Sequence, residues 1–119
     1  MEDALGAPVS HLALRDGVSV YDRDGQEVGV VDRVMTDEAT GIFEGLIIHT
    51  RPVLGGRHVF APYDQIGELR EHGVRLAVGR TELYELDERA GRQRRGDAGP
   101  EPPIEVLLRK AWDWLTGVR

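Results

Sequence analysis

The sequence predicts an all-β fold, a small barrel followed by a helical appendage. Short Val- and Ile-rich segments recur between residues 17 and 86, separated by the tight turn signals DRDGQEVG, DEATGI, LGGR and EHGV. Each segment reads as a strand and each Asp-Gly or Gly-Gly pair as a reversal. After Leu86 this rhythm stops and the composition shifts to Gly, Pro and charge.

Strand one is expected at Val18 to Asp22, and Asp24-Gly25 suits a two-residue turn that needs positive φ. Strand two, Glu27 to Asp37, carries apolar groups on both faces, with Val28, Val30 and Val34 on one and Val31 and Met35 on the other. A strand buried on both faces belongs inside a barrel or beneath a helix. Strand three runs from Ile42 to Thr50, where Ile42, Leu46 and Ile48 alternate against Phe43 and Ile47; Gly29 and Gly45 interrupt the two strands and predict bends or bulges. Strand four is Arg57 to Ala61, ended by Pro62, and strands five and six are Ile66 to Arg70 and Val74 to Val78, paired around His72-Gly73. The expectation is a closed six-stranded sheet. Its interior would be lined by Val18, Val20, Val28, Val30, Val34, Ile42, Leu46, Ile48, Val59, Val74, Leu76 and Val78.

The ordered set of Val20 to Asp22, Asp24-Gly25, Gly29 with Val31, Asp37, Thr40-Gly41, Ile47-Ile48 and Pro62 resembles the PRC-barrel family, over roughly residues 10 to 86. That family is shared by the H subunit of photosynthetic reaction centres and the C-terminal half of the ribosome maturation factor. The resemblance implies a six-stranded barrel that acts by binding proteins, often itself or a ribosomal or membrane assembly, and it implies no enzymatic activity. Neither founding member's specific job carries over, because the chain lacks the transmembrane helix of the one and the partner domain of the other.

Three regions follow: a barrel over residues 1–86, a Gly-, Pro- and charge-rich linker over 87–103, and an amphipathic helix over 104–118. A 17-residue coil would span about 20 to 25 Å. Pro102-Pro103 favours a helix start. At 100° per residue Ile104, Leu107, Leu108, Ala111, Trp112, Trp114, Leu115 and Val118 share one face, with Glu105, Arg109, Lys110, Asp113 and Thr116 opposite. Such a stripe needs a partner. The expected partner is protein, either the chain's own barrel or, by preference, a second copy in a homodimer.

The net charge is −6, and residues 1–86 hold 8 basic against 15 acidic groups. That balance opposes phosphate contact unless basic groups are gathered. Arg89, Arg92, Arg94 and Arg95 are the candidate anion contacts, diluted by Asp87, Glu88 and Asp97. An RNA- or ribosome-associated accessory role is therefore the alternative, and a peripheral membrane adaptor is disfavoured because the helix's polar face lacks Lys/Arg enrichment. There is no Cys, which removes disulfides and thiolate metal sites. The first residues lack a signal-peptide pattern and no segment approaches a membrane span, so a cytoplasmic location is expected. Lys110 is the only lysine, a bias that fits codon usage.

Chemistry is sparsely represented. His11, His49, His58 and His72 show no metal-ligand spacing, and Gly25 follows Asp24 too early for a calcium loop. Ser10 and Ser19 lack a nucleophile-elbow context. The expectation is a non-enzymatic interaction module without cofactor or metal.

Overall fold

The computed structural model describes residues 4–87 and 104–117. Seven strands form one curled sheet: β1 Ser19–Tyr21, β2 Glu27–Thr36, β3 Phe43–Thr50, β4 His58–Pro62, β5 Ile66–Arg70, β6 Gly73–Leu76 and β7 Tyr84–Glu85. Among the described residues one α-helix, α1, spans Ile104–Thr116. The hydrogen-bonded order is β5-β6-β1-β2-β3-β4-β7, antiparallel throughout except for the parallel pair β1·β6.

The expected six strands become seven because Tyr84 and Glu85 add to β4, opposite Phe60 and Val59. The sheet is a half-barrel with β5 and β7 at its ends instead of a closed ring. Between β4 and β5 the chain makes a 3-10 turn at Tyr63–Gln65, so those two strands meet at a corner and not along a ladder. The β5 edge is blunted by residues 5 to 9. Val9 donates to the Leu69 carbonyl, Glu71 to that of Ala7 and His72 to that of Leu5, which occupies backbone groups that an open edge would offer to another chain.

The concave side holds the main core, including Val20, Val28, Val31, Leu46, Ile48 and Val74. Val18, Val34 and Val78 pack against it partly buried. Two members of the expected interior are elsewhere. Val30 faces the opposite side, paired with His49, and its place is taken by Val31. The cause is a pair of bulges. Val20 pairs with Gly29 and Tyr21 with Glu27, leaving Val28 as the extra residue; Val31 pairs with Ile48 and Arg33 with Ile47, leaving Asp32 extra. Each extra residue resets the two-residue alternation, so Val28, Val31 and Val34 all turn inward. Ile42 is the second correction: it precedes β3 and is 64 % exposed.

A third bulge lies beside Gly45, where Met35 pairs with Gly45 and Thr36 with Phe43, leaving Glu44 as the extra residue. The glycine interruptions at 29 and 45 thus coincide with irregular pairing. On the convex side Met35, Ile47 and Phe60 form a second apolar cluster, and α1 covers it.

Candidate interaction surfaces

The residues of α1 explain where it sits. Leu107, Leu108 and Ala111 are buried at the i, i+1, i+4 positions of one turn, while Ile104, Trp112, Trp114 and Leu115 pack partly buried around Met35, Ile47, Phe60 and Leu86. The face expected to bind a partner is therefore engaged, in this single chain, with the chain's own sheet. Val118 lies outside the described residues, as do Arg89, Arg92, Arg94, Arg95 and the linker beyond Asp87.

One end of this seat is polar. Lys110 Nζ donates to Glu44 Oε2 at 3.0 Å and lies 3.7 Å from Asp37 Oδ2. Glu44 is only 6 % exposed, and its Oε1 is enclosed with no hydrogen-bond partner. The Arg33 guanidinium lies over the Trp114 ring, 4.8 Å from its centroid, as a cation held by an aromatic face. Between α1 and the β2–β3 turn these groups border a cleft of about 710 Å³, with Glu38 and Asp113 also on its walls. Asp37 has a second task. Its Oδ1 accepts from the Thr40 and Ala39 amides at 3.0 and 2.9 Å, and these backbone bonds hold its carboxyl below the ordinary range of 3.8. Glu44 and Lys110 escape a sequence reading because one falls in an apolar strand and the other on a solvent-assigned face. A glutamate between Phe43 and Gly45 is the available signal, since a charge inside such a strand requires a counter-charge.

A second surface lies at the loop end of β3. His11 Nε2 is 3.1 Å from the Gly41 carbonyl oxygen, and its ring stacks on Phe43 with centroids 5.1 Å apart. This pins the segment bearing Leu12 to the one bearing Ile42, and both side chains are exposed, Leu12 at 78 % and Ile42 at 64 %.

The other singled-out residues have structural partners. Asp22, 6 % exposed, accepts from the Asp24 and Gln26 amides at 2.9 and 3.0 Å, so the DRDG segment is an Asp-organised hairpin turn. His49 and His58 stack with centroids 4.7 Å apart, and His58 Nε2 is 3.1 Å from Asp32 Oδ2. His72 donates its backbone amide to the Leu5 carbonyl. Among the described residues no group of three or more His, Asp or Glu is arranged to hold a metal ion, and no helix is long and apolar enough to cross a membrane.

A curled antiparallel sheet with one parallel pair, a packed concave core and a helix seated on the convex face defines a small module of β-barrel type. The family model of the PRC-barrel domain matches residues 16–83. The chain belongs to the PRC-barrel family. No curated protein matches it.

Proposed function

We propose that the chain is a non-enzymatic protein-interaction module of the cytoplasm that associates with a second copy of itself through the barrel end carrying Leu12 and Ile42. The supporting observation is the exposure of those two large apolar side chains on segments locked together by His11. A pair of apolar groups on one rigid junction is the seed of a contact patch, unlike scattered surface leucines. Self-complementary patches close most often as two-fold dimers.

The terminal helix is the weaker route to association. Sixteen residues tether it to its own barrel, and a short tether holds a segment at an effective concentration that a second copy at micromolar levels does not match. Membership of the PRC-barrel family fits an interaction role. The acidic barrel, with 15 acids against 8 bases, disfavours the RNA-associated alternative.

Sedimentation velocity across a concentration series tests the reading. The wild type should move from monomer to dimer, Leu12→Arg and Ile42→Arg should remain monomeric, and raised salt should have little effect on an apolar contact. A wild type that stays monomeric at high micromolar concentration would overturn it.

A further inference from the structure

The chain has fourteen arginines and one lysine, and the lysine is the residue through which α1 meets a buried carboxylate. For that contact arginine is the better partner. A planar guanidinium presents two parallel donors to both oxygens of a carboxylate, whereas an ammonium is a point charge that serves one. The geometry shows the difference: Lys110 Nζ bonds Glu44 Oε2 at 3.0 Å, and Oε1 is left enclosed without a partner. A chain that uses arginine at every other cationic position thus keeps lysine where a fork would satisfy one more buried atom. What lysine has and arginine lacks is an amine whose charge acylation removes.

We infer that Lys110 is an acylation site, and that the Lys110–Glu44 pair is a latch which the modification opens to release α1 from the sheet. The Lys110 side chain is 41 % exposed and borders the open cleft, so it is within reach of a reagent. When the ammonium gives a proton to water, the amine attacks the carbonyl carbon of an acyl thioester. A C–N bond forms, the C–S bond breaks, and the thiolate leaves and takes up the second amine proton. The product amide keeps one N–H and no charge.

Glu44 then faces a cleft wall holding Asp37, Glu38 and Asp113, where among the described residues the remaining cation is Arg33, already placed over Trp114. A buried carboxylate stripped of its counter-charge is strongly unfavourable, and lifting α1 lets water reach it. The lift also uncovers Met35, Ile47 and Phe60. Modification is thereby coupled to exposure of an apolar sheet face.

The test uses the full chain, an acetyl thioester of N-acetylcysteamine, and the emission of Trp112 and Trp114, the only tryptophans and both on α1. Mass spectrometry should find the label on Lys110, with red-shifted emission and proteolysis of the 104–117 segment faster by about tenfold or more, the scale set by an unpaired buried charge. Lys110→Gln should behave like the acylated chain, and Lys110→Arg should stay docked. Glu44→Gln combined with Lys110→Gln should restore wild-type emission, because no buried charge remains to be compensated; this rescue separates the latch from simple damage to the helix. Wild-type emission and cleavage in Lys110→Gln, a double variant no better docked than Lys110→Gln alone, or a Lys110 left unlabelled while the N-terminal amine reacts, would each overturn the inference.

Discussion

The ring of Phe60 on β4 closes over Gly45 on β3, so that a Cβ added to Gly45 would stand 2.7 Å from Phe60 Cζ and 2.4 Å from the Ala61 carbonyl oxygen. Gly45 also has a φ of +152°, beside the bulge that turns Glu44 toward α1. The absent side chain is what lets an aromatic residue of the helix seat approach the neighbouring strand this closely.

Gly45→Ala should therefore cost about 3 kcal/mol or more, through backbone overlap in addition to strain. Gly25→Ala, at φ +82° with nothing within 4 Å, should cost only the strain, about 1 to 2 kcal/mol. Urea denaturation of both variants checks the ordering. Equal costs would mean that β3 and β4 separate easily around the new methyl group.

Leu46 and Ile42 alternate with the same parity in the sequence but have opposite fates. Leu46 is fully enclosed in the concave core, so Leu46→Asp should abolish the cooperative melt, since a buried carboxylate there would have no partner. Ile42→Asp should change monomer stability by about 0.5 kcal/mol or less. Thermal melts followed by circular dichroism distinguish the two, and an unfolded Ile42→Asp would contradict its placement before β3.

Leu108 is 4 % exposed between α1 and the sheet, and Leu108→Ala should weaken the seat by about 2 to 4 kcal/mol. The loss has a ceiling at the docking energy of the helix, because the chain can undock α1 instead of holding a cavity. Truncation after Asp87 should leave the strands formed while Met35, Ile47 and Phe60 become accessible. Binding of an apolar dye and a lowered melting temperature would report this, whereas an unchanged melt would show that α1 contributes nothing to the barrel.

Asp37 and Glu68 each contribute to the acid limb of stability. Backbone donors from Thr40 and Ala39 lower the Asp37 pKa, and hydrogen bonds from Arg75 and Arg70 lower that of Glu68. Both folded values lie below the unfolded ones of 3.8 and 4.5, so their support is fully present above those values and is lost as pH falls through the lowered folded values. Carboxyl shifts followed by NMR should titrate below 3.8 for Asp37 and below 4.5 for Glu68. In Asp37→Asn the acid-induced loosening of the Ala39–Thr40 turn should disappear. A midpoint at or above the unfolded value would refute the assigned hydrogen bonds.

Most of the strand plan was legible because it rests on local chemistry. Asp22 and Asp24-Gly25 specify their turn through the side chain and a positive φ, and β5 lies where the alternation places it, at Ile66–Arg70. β7 was not legible, since two residues carry no period and Tyr84 and Glu85 become a strand only when β4 offers a free edge. Of the helix face, the apolar spacing identified the residues that pack but contained nothing about the surface receiving them.

By itself, then, the sequence determined the turns, the chain positions of the first six strands and the apolar stripe of α1, all consequences of backbone sterics and side-chain spacing within a few residues. The tertiary structure alone decided which side of β2 each valine faces, because the bulges at Val28 and Asp32 arise from pairing with β1 and β3 and reverse the parity. It alone left Ile42 exposed ahead of β3 and tied its segment to the one bearing Leu12, through the His11 contacts with Gly41 and Phe43. And it alone joined Lys110 to Glu44 across 66 positions, since an ion pair between a helix and a distant bulge depends on how the helix is seated and on no local pattern.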